Sequence, residues 1–102
     1  MGMQLPKSVA KLSEAAWQRQ VIQLATMHGW SHYHTHDSRK SVTGFPDLVL
    51  VKDSVIYAEL KTEDGKLSPS QEAWVERLKI AEQVVYVWRP SMLEEVMAIL
   101  RG

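Results

Sequence analysis

Residues 44–61 read GFPDLVLVKDSVIYAELK, and this stretch predicts a β-hairpin. Two runs rich in β-branched and apolar residues, 47–51 and 55–61, flank the short polar segment 52–54. A three-residue loop is a common hairpin connection. With Asp53 at the centre of the turn, we expect the cross-strand pairs Val51 with Val55, Val49 with Tyr57, and Asp47 with Glu59.

This register brings two carboxylates together. The Cβ atoms of Asp47 and Glu59 are expected about 5 Å apart, and Lys61 shares their face because it follows Glu59 by two residues. At that separation two negative charges repel by about 3 kcal/mol at an effective dielectric near 20, so the pair needs a shared proton or a cation. Magnesium is the expected cation because it prefers oxygen ligands and binds through carboxylates and phosphate. The stretch therefore predicts a metal-dependent nuclease site.

Each half of the motif also has a simpler explanation. A Glu-x-Lys sequence on an exposed strand is usually a solvated charge pattern, and Gly-x-Pro-Asp is usually a turn. The two halves are harder to explain in this way together, because they face each other on strands whose other positions are nearly all apolar.

Length and composition limit the class of protein. The chain has 102 residues, which predicts a single domain over 1–102. Hydrophobic residues make up 45% and charged residues 24%, as in ordinary soluble globular proteins. No segment approaches a membrane span, the N-terminus lacks the apolar core of a signal peptide, and there is no cysteine. We therefore expect a cytoplasmic protein without disulfides.

The overall charge does not predict general nucleic-acid binding. Twelve Lys and Arg residues balance twelve Asp and Glu residues, so the chain has no global basic field. Four basic residues nevertheless flank the motif, where a phosphate backbone can run: Arg39, Lys40, Lys61 and Lys66. Any contact with DNA is expected to be local.

The remaining segments complete an α/β chain in the order α-β-β-β-α-β-α, with a sheet flanked by helices on both faces. The predicted elements are a helix over 14–28 capped by Ser13, a strand over 31–36, the hairpin, a helix over 69–81 capped by Ser68, a strand over 83–88, and a last helix begun by a Ser91–Glu94 capping box. Trp74, Leu78 and Ala81 are expected to be buried on the second helix. A right-handed crossover joins the second hairpin strand to the strand over 83–88.

Two polar residues at helix starts have two explanations each. Glu14 lies on the helix stripe that should face the core, which suggests a role at the site, but it is equally explained by the positive end of the helix dipole. Gln71 fits a capping box with Ser68, yet a first-turn residue directly after the hairpin can also reach the carboxylates.

Alternating histidines at 32, 34 and 36 suggest another kind of site. Zinc binding through His32, His34 and His36 is one interpretation, but the run has no fourth ligand at an established spacing. The other interpretation is hydrogen bonding to a substrate near a phosphate-binding cleft. The polar loop over 37–44 leads from these histidines into the motif, where loops often carry binding groups.

Together these segments resemble one known family. They are Ser13-Glu14 with Gln18, the stretch His34 to Ser38, residues 44–48, Glu59-Leu60-Lys61, and Leu67-Ser68 with Gln71 and Trp74. In this order they resemble the VRR-NUC family, the virus-type replication-repair nuclease domains of the PD-(D/E)XK superfamily. The resemblance covers nearly the whole chain and implies a restriction-endonuclease-like core with a mixed sheet.

The resemblance also implies roles for individual residues. Asp47 and Glu59 would bind Mg²⁺ or Mn²⁺ together with the backbone carbonyl of Leu60, and Lys61 would orient or activate the attacking water. Glu14 would assist through water or a second ion, and Gln71 would lie near the active site. His34, His36, Ser38, Arg39, Lys40 and Lys66 are the candidate DNA contacts.

Stand-alone members of this family suggest the substrate and the setting. They look like phage or bacterial enzymes that act as homodimers on branched DNA, including Holliday junctions, which places this chain in a bacterial cell or a phage-infected host. Two rivals stay open. One is a noncatalytic nucleic-acid-binding or assembly module, and the other is a nuclease subunit of a restriction or replication complex with little preference for DNA structure.

Overall fold

The computed structural model describes residues 11–35, 40 and 42–102. Within them the predicted order α-β-β-β-α-β-α is confirmed. The elements are α1 Glu14–Met27, β1 Ser31–His34, β2 Leu48–Val51, β3 Val55–Leu60, α2 Pro69–Ile80, β4 Val84–Trp88, a 3₁₀ turn Pro90–Met92, and α3 Leu93–Arg101.

The strands form one mixed sheet in the order β1-β2-β3-β4. The pairs β1–β2 and β2–β3 are antiparallel, and β4 lies parallel to β3, as a crossover connection requires. The predicted hairpin register is confirmed, because Val51 pairs with Val55 and Val49 pairs with Tyr57. The residue before β2 is Asp47, so the same register carries it toward Glu59 near the end of β3.

One face of the sheet forms the core. Helices α1 and α3 cover this face. Two tryptophans stabilise this packing through hydrogen bonds from their indole nitrogens. Trp17 Nε1 donates to the Trp88 carbonyl at 3.0 Å, and Trp30 Nε1 donates to the Leu100 carbonyl at 2.8 Å. The buried cluster consists of Trp17, Val21, Ala25, Trp30, Leu48, Leu50, Ile56, Ala58, Leu60, Trp88, Val96 and Leu100.

Helices flank both faces of the sheet, as predicted, although the opposite face is covered only in part. Helix α2 packs against β4 and reaches the segment before β2, where Phe45 makes edge-to-face contacts with Trp74 and Tyr57. It does not cover the turn end of the hairpin. There Val51 is 43% exposed, and Tyr33 on the neighbouring β1 is 66% exposed.

Two of the three predicted helix caps are confirmed. The Ser13 hydroxyl accepts a hydrogen bond from the Ala16 N–H, and Ser68 and Gln71 form a reciprocal capping box. The Ser91–Glu94 box is wrong. The chain enters α3 through the 3₁₀ turn that Pro90 begins, and the Ser91 N–H donates to Glu63 Oε2 instead.

Two further expectations need correction. On α2 the buried residue is Val75, whereas Ala81 is exposed because it caps the helix after its last turn at Ile80. The strand predicted over 31–36 is shorter, because it ends at His34 and the described Thr35 no longer belongs to it, while His36 lies outside the described residues. No helix in the described ranges is long and apolar enough to cross a membrane.

Candidate active site

Three carboxylates converge where the start of α1 meets the hairpin. One oxygen each from Glu14, Asp47 and Glu59 lies within 4.8 Å of the others. Glu14 is the first residue of α1, Asp47 precedes β2, and Glu59 is on β3. This places the two predicted metal ligands together and adds Glu14, whose position sequence alone left between a site role and a helix-dipole role.

Glu59 is the most constrained of the three. It points away from the core face, because Ala58 and Leu60 on either side of it are buried there, and it is itself only 1% exposed. Gln71 Nε2 donates to Glu59 Oε1 at 2.9 Å. Gln71 therefore fills both roles that the sequence suggested, since its Oε1 accepts from the Ser68 N–H while its amide nitrogen reaches the site.

The other oxygen of Glu59 is buried without a hydrogen-bond donor. Oε2 is one of two such side-chain atoms found among the described residues. A buried carboxylate oxygen without a donor is costly unless a proton or a cation satisfies it. Because two more carboxylates lie beside it, the residues present fit an oxygen-binding divalent cation.

The electrostatics of the cluster agree with this description. Burial, reinforced by the negative charge of Asp47, raises the pKa of Glu59 to about 8. Burial and Asp47 also raise the pKa of Glu14, while the Lys61 ammonium opposes both shifts. Carboxylates that are hard to ionise together are ones that a cation stabilises strongly.

Asp47 is held by the backbone of the partner strand. Its Oδ2 accepts a hydrogen bond from the Leu60 N–H at 2.8 Å. Leu60 thus contacts the site through its N–H, and the coordinating role expected for its carbonyl stays a prediction. The Lys61 N–H donates to the Trp88 carbonyl, which anchors the end of β3 to β4.

Residues 43–45, just before Asp47, pack closely against α2. Gly44 has a φ of +94°, and a Cβ at this position would lie 2.6 Å from the Ser70 carbonyl. Trp74 Nε1 donates to the Thr43 carbonyl at 3.1 Å, and the Trp74 ring packs on Phe45. The sequence did not predict this contact with α2, although glycine at the start of the motif was a signal for close backbone approach.

The candidate DNA contacts fall into two groups. Lys40 and Lys66 are exposed, and His34 is half-buried at the end of β1. His36, Ser38 and Arg39 lie outside the described residues. His32 and His34 stack with ring centroids 6.0 Å apart, and the metal-ligand cluster found in the described ranges contains neither of them.

Arg89 is a further residue whose contacts the sequence did not predict. Its Nη1 donates to the carbonyls of Thr62, Glu63 and Gly65, at 2.7, 3.2 and 2.6 Å. These contacts fix the loop that follows Lys61. No local sequence signal predicts them, because the partners are more than twenty residues apart along the chain.

Comparison with known proteins identifies the family. Searches of curated proteins and of solved structures gave no match. The family model for the VRR-NUC domain matches residues 3–91, which include every carboxylate of the cluster as well as Lys61 and Gln71. With a mixed four-stranded sheet of the PD-(D/E)XK type and a nuclease-like cluster at the hairpin, the chain belongs to the VRR-NUC family of nucleases.

Proposed function

We propose that this protein is a Mg²⁺- or Mn²⁺-dependent endodeoxyribonuclease that hydrolyses phosphodiester bonds. The observation that supports it is the cluster of Glu14, Asp47 and Glu59 around a buried carboxylate oxygen that has no donor. A divalent cation held there supplies activation of water and neutralisation of charge on the phosphate. The VRR-NUC match supports the nuclease class but leaves the metal open.

The residues of the chain have separate roles in this proposal. Asp47 and Glu59 provide the acidic ligands, with the Leu60 carbonyl beside them. Gln71 orients Glu59 through its amide, and Leu60 N–H orients Asp47. Lys61 follows this strand with its ammonium near Glu14 and Glu59, where it can position the attacking water or contact the phosphate.

We propose branched DNA, such as a Holliday junction, as the preferred substrate, cut by a homodimer. Resolving a four-way junction needs two incisions, which two copies of one site supply. The apolar side chains left exposed at the turn end of the hairpin and on β1 offer a surface that a second copy can cover. Flanking contacts to DNA are assigned to His34, His36, Ser38, Arg39, Lys40 and Lys66.

A cleavage assay tests the proposal. A four-way junction and a linear duplex of the same sequence are incubated with the protein and Mg²⁺, Mn²⁺ or a chelator. We expect metal-dependent cutting that favours the junction, and a loss of about 100-fold or more for Asp47→Ala and Lys61→Ala. Asp53→Ala, in the exposed hairpin turn at the other end of the strands, is the matched control and should cut normally.

The alternatives give different results in the same assay. Binding of DNA without cutting under any metal condition would favour the noncatalytic module. Equal cutting of junction and duplex would favour a nuclease subunit without structure preference. Retained cutting in both site variants would refute the assigned site. Light scattering of the purified protein, with and without junction DNA, measures whether it is a dimer.

A further inference from the structure

A cavity of about 340 Å³ lies between the start of α1 and the loop that follows β3. Two of its lining residues are next in the chain to residues of the candidate active site, because Ser13 precedes Glu14 and Thr62 follows Lys61. Its volume is at the lower end of the range of roughly 300–1,000 Å³ for small-molecule sites. It therefore suits one nucleotide and not a length of duplex. Its lining residues are Lys11, Leu12, Ser13, Thr62, Glu63 and Asp64.

One wall of this cavity, the loop wall, consists of residues 62–64 and is fixed by hydrogen bonds. Arg89 Nη1 donates to three carbonyls of the loop, those of Thr62, Glu63 and Gly65. The Glu63 carboxylate in turn accepts the Ser91 N–H at 3.0 Å, a contact that lowers the pKa of Glu63. A wall that is ordered in advance loses less entropy when a ligand binds. These contacts hold the loop itself, whereas Asp47 and Glu59 are held by Leu60 and Gln71.

The lining residues indicate which part of a nucleotide the loop wall accepts. Two carboxylates on this wall, Glu63 and Asp64, disfavour a phosphate and favour a group that donates N–H bonds. One oxygen of Glu63 is already used by Ser91, whereas Asp64 is exposed beside the cavity. Carboxylates accept hydrogen bonds from the exocyclic amino group of cytosine. On the opposite wall, Lys11 is available to the phosphate that joins this nucleotide to the next.

We propose that this cavity is a nucleotide subsite, in which the base next to the scissile phosphate lies against the 62–64 wall and Asp64 accepts a hydrogen bond from its amino group. The inference rests on the proposed nuclease function, which places the scissile phosphate at the adjoining carboxylates. It makes Asp64 a specificity-determining residue. Bases with an exocyclic amino group are favoured over thymine at one position beside the cut.

Nucleotide binding tests the subsite without any cleavage. The ¹⁵N-labelled protein is titrated with dCMP and with dTMP in a buffer that contains Ca²⁺, and amide shifts are followed by NMR. We expect dCMP to move the amide signals of Thr62, Glu63 and Asp64, with dTMP binding about fivefold more weakly. Asp64→Ala should remove this difference, and Asp53→Ala should keep it. Shifts confined to the residues around Asp47 and Glu59, or no shifts at all, would overturn the subsite.

Cleavage kinetics give a second measurement that separates the two proposals. Junctions carrying cytosine, adenine, thymine or an abasic site at each nucleotide beside the cut are compared. We expect a five- to tenfold preference for cytosine or adenine over thymine at one position, expressed mainly in KM and lost in Asp64→Ala. Metal-dependent cutting without this preference would overturn the subsite alone. Absence of all cutting would count against the proposed function, while the dCMP titration would still decide the subsite.

Discussion

At the scale of single residues, Glu59 shows best how this sequence makes a reactive site. An ordinary glutamate is placed on the least exposed part of β3, beside Asp47 and under the amide of Gln71. Its position costs folding free energy, because an ionised carboxylate is removed from water next to another negative charge. The same position makes it a strong ligand for a cation.

Glu59→Gln should stabilise the metal-free protein, increasingly so at higher pH. The folded pKa of Glu59 is raised to about 8 from an ordinary value of 4.5. A carboxyl with a raised folded pKa contributes fully below the unfolded pKa and loses that contribution as pH rises toward the folded pKa. Wild type should therefore lose stability relative to the variant between about pH 4.5 and 8.

Thermal unfolding in a chelator at pH 5, 6.5 and 8 measures this difference. At pH 8 we expect the variant to melt at least about 4–8 °C above wild type, which corresponds to roughly 1 kcal/mol for a domain of this size. Glu76→Gln, on the exposed side of α2, is the control and should change little. A difference between Glu59→Gln and wild type that does not vary with pH would contradict the raised pKa. The variant should also lose affinity for Mn²⁺.

At the scale of secondary-structure elements, the site depends on how α2 meets the segment before β2. Gly44 passes so close to the start of α2 that no side chain fits, and Trp74 bonds the Thr43 carbonyl. This contact places Gln71 beside Glu59, and it holds Phe45 two residues before Asp47. Helix α2 therefore helps to position both carboxylates, although Trp74 itself contacts neither of them.

Trp74→Phe should weaken metal binding more than it weakens folding. The change removes the indole N–H that donates to Thr43 and keeps an aromatic ring against Phe45. We expect about a tenfold loss of Mn²⁺ affinity, at the lower end of the effect of groups that orient metal ligands. Titration calorimetry with Mn²⁺ measures the affinity, and a melting curve of each sample measures stability.

Gly44→Ala is the stronger version of the same test. The added Cβ meets backbone atoms at 2.6 Å and the φ of +94° strains any side chain, so we expect both metal affinity and stability to fall.

Trp30→Phe is the matched control for Trp74→Phe, since it removes an indole hydrogen bond on the core face, at Leu100. If Trp74→Phe and Trp30→Phe lower Mn²⁺ affinity equally, the contact between Trp74 and Thr43 has no specific role in metal binding.

At the scale of the whole molecule, the core and Glu59 lie on different faces of one sheet. Helices α1 and α3 cover the core face, while Gln71 of α2 contacts Glu59 on the other face and the first residue of α1, Glu14, reaches the carboxylates. Leu100→Ala should therefore destabilise the protein by about 2–5 kcal/mol through a cavity in the core. Chemical denaturation measures that loss. Mn²⁺ affinity well below the unfolding transition should stay near the wild-type value, and a parallel loss of affinity would show that core and site are not separable.

The sequence by itself determined the parts of this protein that depend on local patterns. Two runs of apolar and β-branched residues and the polar triplet around Asp53 specified the hairpin register, which in turn predicted that Asp47 faces Glu59. Serine caps at 13 and 68 specified two helix starts, since capping depends on neighbours within one turn. At Ser91 the same local pattern failed, because Glu63 from a distant loop took the N–H that the capping box would have used.

Only the tertiary structure decided which partners distant segments find. It brought Glu14 to the hairpin carboxylates, gave the Gln71 amide to Glu59 and placed Arg89 on the loop after Lys61. It also left the turn end of the sheet exposed, although the strands there are apolar. These contacts join residues far apart in the chain, so they depend on how the helices pack on the sheet. The local periodicity of the sequence does not determine that packing.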